Sequence, residues 1–171
     1  MKQDKVINIM FWGMLIFYLF LMLNLLLMRV NVGYSRINLV PFKSIAQGIN
    51  IYDGFQYHFV HIQVWANVLI FIPAGIYLMV LSKNNSMLKA FAWAFLISLG
   101  VEIIQYTFRI GVGDIDDIIL NCLGGVIGIG IYALLRTLFK TAENTKRIIA
   151  CISIFIGVPI LIVSTLVSYV N

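Results

Sequence analysis

The chain has 171 residues, of which 61% are hydrophobic and 11% charged, with a mean hydropathy of +0.98. Soluble domains carry about 45–50% apolar and about 25% charged residues, and a chain this short has too little interior to hide such an apolar surplus from water. Composition therefore excludes a cytosolic or secreted globular protein, a nucleic-acid-binding domain and a disordered tail. An integral membrane protein is left, in which the net charge of +5 is better read as topology than as an acidic partner.

Crossing the hydrocarbon takes about 20 mostly apolar residues per helix. Five runs meet that length: 6–28, 63–82, 88–108, 117–139 and 148–170. Helices are expected because lipid offers backbone polar groups no partner, and barrel strands would alternate in polarity where these runs are continuous. The expected fold is an all-α bundle of five transmembrane helices, one membrane domain over residues 1–171. No small-residue cleavage site follows the first run, so it is expected to stay as an anchor. Cys122 and Cys151 fall inside apolar runs and read as buried thiols.

Basic residues set the expected orientation. Lys2, Lys5, Lys83, Lys89, Arg136, Lys140, Lys146 and Arg147 lie on one side, against Arg29, Arg36, Lys43 and Arg109 on the other. Lys and Arg concentrate in cytoplasmic segments, which puts the N-terminus inside and the C-terminus outside. Five of the seven acids, Asp53, Glu102, Asp114, Asp116 and Asp117, then face outward. The first loop, 29–62, is long for a connector and therefore expected to be functional or ordered by packing. Its Tyr34, Phe42, Ile45, Ile49, Tyr52, Phe55, Tyr57 and Phe59 suit the outer membrane interface or a cover over the helices.

The fourth run opens with Asp114, Asp117 and Asn121, spaced i, i+3, i+7 on one helical face, with Gly124 and Gly128 continuing it. A small-xxx-small pair lets another helix approach closely, in this chain or in a second copy. The plain structural reading is that Asp114 caps the helix while Asp116 and Asp117 favour its dipole; it leaves Asn121 unexplained. On the third run Glu102 and Gln105 share a face below the outer end, where an ionisable group is costly and usually faces a bundle interior or cavity. Asn67 reaches a similar depth on the second run, above Pro73, which removes a backbone hydrogen bond and kinks the helix. Arg36, Asn38 and Arg109 lie in the loops above. Arg36, Asn38, Asn67, Glu102, Gln105, Arg109, Asp114, Asp117 and Asn121 thus form the expected ligand-binding set, and Arg36 or Arg109 could pair with Glu102.

Other chemistries lack their patterns. There is no Gly-rich phosphate loop, Ser98 has no Gly-x-Ser-x-Gly setting, and His58 and His61 have no zinc-binding context. No metal and no cofactor are assigned.

Asn38-Leu39-Val40-Pro41-Phe42, Asn67-Val68-Leu69-Ile70-Phe71-Ile72-Pro73-Ala74-Gly75, Glu102-Ile103-Ile104-Gln105, Arg109 and Asp114-Ile115-Asp116-Asp117 through Asn121-Cys122-Leu123-Gly124-Gly125 resemble, in this order, the motifs of the VanZ-like family. The resemblance runs from about Arg36 to Tyr132. It implies a small bacterial membrane protein, and the family's founding member confers low-level resistance to the glycopeptide teicoplanin. No agreed catalytic residues come with it. The expected function is lowered susceptibility to lipoglycopeptides, through binding of the drug, a lipid-linked cell-wall precursor or a lipid headgroup at an outer-leaflet polar pocket. Two alternatives stand beside it. One is an intramembrane transferase or hydrolase on such a precursor, with Glu102 or Asp117 as general base. The other is a structural or regulatory subunit, associating through Gly124 and Gly128.

Overall fold

A computed structural model describes residues 2–27, 37–50, 54–82, 84, 86–111 and 113–170. The elements in chain order are α1 (Lys2–Leu27), β1 (Ile37–Asn38), α2 (Lys43–Asn50), α3 (Gly54–Leu81), α4 (Met87–Phe108), β2 (Gly113–Asp114), α5 (Ile115–Phe139) and α6 (Ala142–Val170). Five of the helices contain segments long and apolar enough to cross a membrane: Lys5–Leu26, Val64–Leu81, Met87–Phe108, Ile115–Phe139 and Ala142–Ile162. The chain is a multi-pass membrane protein.

The structure corrects the expected layout in two places. A sixth helix, α2, forms inside the long first loop, and α3 starts at Gly54 rather than Gln63. The sequence before Gln63 is too polar to read as a membrane span, yet helix continues through it because no proline or glycine interrupts residues 55–62. α5 and α6 likewise begin at Ile115 and Ala142, ahead of the apolar runs, since helical hydrogen bonding does not stop where hydrophobicity does. β1 and β2, invisible to periodicity at two residues each, pair in parallel with Ile37 opposite Gly113 and Asn38 opposite Asp114.

The chain divides into two compact units. One comprises Met1–Met22 and Leu134–Asn171. In it Phe11, Leu15 and Met22 of α1 are buried, as are Thr145, Ile149, Ala150 and Gly157 of α6. Lys146 Nζ donates to Asn8 Oδ1 and lies 4.7 Å from the centre of the Phe11 ring, so the lysine stem covers apolar surface while its charge stays partnered.

The second unit, Leu23–Ala133, contains β1, β2, α2, α3, α4 and most of α5. Its core combines large buried side chains, among them Phe71, Tyr77, Met79 and Tyr132, with a seam of small residues. A Cβ placed on Gly124 would lie 2.2 Å from Val68 O, one on Gly128 2.0 Å from Ile72 O, and one on Gly75 2.2 Å from Gly125 O. Backbone therefore meets backbone between α3 and α5, which is how membrane helices gain packing energy where lipid removes the hydrophobic drive. Ala94 Cβ sits 3.1 Å from the corresponding position on Gly125, bringing α4 against the same helix. The two glycines of the expected association stripe thus find their partner within the chain.

Large apolar side chains such as Leu88, Trp93 and Leu96 point outward. This inversion suits a protein whose solvent is hydrocarbon. Cys151 belongs to that outward surface and Cys122 is half-buried, both as free thiols, so burial of Cys151 was an expectation the structure corrects. A thiol is apolar enough for a lipid-facing helix surface.

Candidate functional site

One face of α4 runs Ala90, Ala94, Ser98, Glu102 and Gln105, all buried, passing from small apolar to polar residues. The matching face of α5 runs Asp117, Asn121, Gly124 and Gly128, also buried. Asn67 is the buried polar residue of α3 among the described side chains. The change from small to polar falls at the same level on all three helices because the tight glycine contacts fix their register. Asn67 Nδ2 donates to Asp117 Oδ1, and Asn121 Nδ2 donates to Ser98 Oγ at 2.9 Å. Gln105 Nε2 donates to the Leu26 carbonyl at 2.6 Å, tying α4 to the end of α1.

Asp114 is the hub of the neighbouring turn. Its backbone N–H donates to Glu102 Oε2 at 2.9 Å. Its Oδ1 accepts from the Asp116 N–H at 2.9 Å, an N-cap bond for α5, and from Asn38 Nδ2 at 3.0 Å. Its Oδ2 accepts from Ser44 Oγ. Asn38 reaches it because the β1–β2 pairing sets the two residues opposite each other.

Asp116 has a role the sequence reading missed. Beyond its place in the first turn of α5, its carboxylate accepts backbone N–H groups from three residues at the start of α2: Phe42, Ser44 at 2.7 Å and Ile45 at 3.2 Å. These are amides a helix start leaves without partners, and an anion there also meets the positive end of the dipole. Phe42 holds φ at +63°, a left-handed conformation rare for a bulky residue, and its N–H is one of the three. Asp116 thus anchors the loop segment 37–50 onto the α4–α5 turn. Ser44 is another member that sequence did not single out, and Ser98, weighed there only as a nucleophile, enters instead as the hydrogen-bond partner of Asn121.

The structure brings together Asn38, Asn67, Glu102, Gln105, Asp114, Asp117 and Asn121. Arg109 is separate: it is the left-handed C-cap of α4, with φ at +58° and an exposed side chain that makes no hydrogen bond or ion pair among the described residues. Its pairing with Glu102 is therefore not formed. Arg36 lies outside the described residues, as do the side chains of His58 and His61. Among the described residues no group of three His, Cys, Asp or Glu is placed to hold a metal ion.

Two atoms in this polar layer lack partners among the described residues. Gln105 Oε1 and Asn121 Oδ1 are buried acceptors with no hydrogen bond. Their residues are 0% and 1% exposed, so bulk solvent does not reach them. Leaving a buried acceptor unsatisfied costs about 1–3 kcal/mol. Measured along α4 from the level of Ser98, which binds Asn121, the two oxygens bracket Glu102. The arrangement is rich in acceptors and suited to a group that donates hydrogen bonds.

Comparison with known proteins agrees with these residues. The profile of the VanZ/LLP1 family matches residues 9–140. Protein VanZ of Enterococcus faecium is 32% identical over 158 residues, covering 88% of this chain and 87% of the relative. No solved structure matches. On that extent of similarity, across the helices and loop segment that build the polar layer, the chain belongs to the VanZ/LLP1 family.

Proposed function

We propose that this protein lowers susceptibility to lipoglycopeptides such as teicoplanin by holding a hydrogen-bond-donating polar group of the drug, of a lipid-linked cell-wall precursor or of a lipid headgroup at the polar layer of α3, α4 and α5. The layer opens toward the outer leaflet in this reading, with the N-terminus inside. The observation that carries the proposal is the pair of buried, unpartnered amide oxygens, Gln105 Oε1 and Asn121 Oδ1, in a layer that also holds the buried carboxylates of Glu102 and Asp117. A cationic or donor-rich group satisfies such acceptors, and the surrounding apolar helices suit an attached acyl chain.

Glu102→Gln tests this. The substitution keeps the size and an oxygen that can accept from the Asp114 N–H, while removing the charge. The variant is expected to accumulate normally and to lose most of the protection against teicoplanin, whereas Glu143→Gln at the exposed start of α6 retains it. Protein abundance and drug susceptibility are measured on the same cells. Full protection by an abundant Glu102→Gln protein overturns the reading, and a fall in abundance assigns Glu102 to the fold instead, as when one partner of a buried charge pair is removed.

A further inference from the structure

At the opposite end of α3 and α4 from the polar layer lies a cavity of about 420 Å³, lined by Leu78, Leu81, Ser82, Lys89, Ala90 and Trp93. We propose that this cleft binds a membrane phospholipid of net negative charge, with its phosphate at Lys89 and Ser82 and an acyl chain along Leu78, Leu81 and Trp93.

The charge argument comes first. Lys89 is exposed and makes no ion pair among the described residues. No Asp or Glu occurs anywhere from Gly54 to Val101, so neither helix supplies a counter-ion near it. Glu102 stands thirteen residues further along α4, about 20 Å away at 1.5 Å per residue. An ammonium group at the edge of a hydrocarbon phase, with no acid on either helix of its cleft in reach, draws an anion from the lipid. A phosphate in a zwitterionic lipid already carries a compensating ammonium; an anionic lipid offers its charge uncompensated. Basic clefts between membrane helices bind anionic headgroups on this ground.

Chemistry along the cleft agrees with one lipid molecule. Ser82 Oγ accepts the Ser86 N–H at 3.2 Å, and its hydroxyl hydrogen is bonded to nothing among the described residues, so it can donate to a phosphate oxygen. Trp93 follows Lys89 by one helical turn and is 59% exposed. Trp is enriched at the level where headgroup meets acyl chain. Headgroup contacts therefore sit one turn above a wall of aromatic and aliphatic carbon, in the order a phospholipid presents them.

Trp93 also supplies the test. Replacing the outward-facing Trp12 and Trp65 by Phe leaves Trp93 as the single indole. That protein is reconstituted in phosphatidylcholine bilayers in which a fraction of the lipid is brominated phosphatidylglycerol or, separately, brominated phosphatidylcholine; bromine quenches indole fluorescence on contact. Phosphatidylglycerol is expected to occupy the site about five-fold better than phosphatidylcholine, the preference one surface lysine supplies. It should weaken with added salt. Lys89→Gln, a surface change that leaves packing intact, should bring the ratio close to one, while Lys5→Gln on α1 leaves it in place. Equal quenching by both lipids overturns the proposal, and so does a preference that survives Lys89→Gln or is lost equally in Lys5→Gln.

Discussion

Gly128→Ala is a perturbation whose sign can be worked out from geometry. A Cβ on Gly128 would stand 2.0 Å from the Ile72 carbonyl oxygen, 3.0 Å from its carbon and 3.1 Å from the Gly75 Cα. Ordinary contact begins at about 3.4 Å, so α3 and α5 must separate by about 1.4 Å at this point. No side chain can rotate away, since all three neighbours are backbone. Overpacking costs about 1–3 kcal/mol where rotamers can adjust, and a backbone clash belongs at the upper end, about 3 kcal/mol. Alanine returns up to about 1 kcal/mol through helix propensity. The net loss is about 2 kcal/mol, which for a chain of this size lowers the melting temperature by about 4–8 °C. Gly130→Ala, two residues along, is the matched control. Nothing lies within 4 Å of its Cβ position, so only the propensity gain operates and the melting temperature should hold or rise. Thermal unfolding of both purified proteins in detergent decides the matter. An unchanged melting temperature for Gly128→Ala, or equal falls for both, would refute the close backbone contact.

Two further outcomes follow from the same structure. Asp116→Asn places an amide NH₂ where the carboxylate accepts the N–H groups of Phe42, Ser44 and Ile45. At least one half-buried donor loses its partner, at about 1 kcal/mol, the low end of the cost for a fully buried group, and hydrogen exchange over 37–50 should rise while α4 and α5 stay protected; unchanged protection would show that the anchor lies elsewhere. For the orientation, Leu39→Cys and Glu143→Cys in a background lacking Cys122 and Cys151 are treated with a membrane-impermeant thiol reagent on intact cells. Labelling is expected at 39 alone, and the reverse pattern would move the polar layer to the cytoplasmic side and end the drug-facing reading.

Hydrophobic length alone determined the five spans, because a bilayer of fixed thickness demands about 20 apolar residues per crossing whatever the fold. Helical spacing also aligned Glu102 with Gln105 and Asp117 with Asn121, since a 3.6-residue repeat is a local property. Asp114 as an N-cap was legible for the same reason. Asp116 was not: beside Asp117 at a helix start, its sequence neighbours explain it fully through the dipole, and its three amide donors come from a segment more than 70 residues earlier in the chain. The β1–β2 pairing, the exposed placement of Arg109 and the choice of α3 as partner for Gly124 and Gly128 are equally non-local. A glycine stripe says that some backbone comes close but carries no side chain to say which. Only the tertiary structure decided that it is α3, and the register so fixed is what brings the buried amides and carboxylates of three helices to one level.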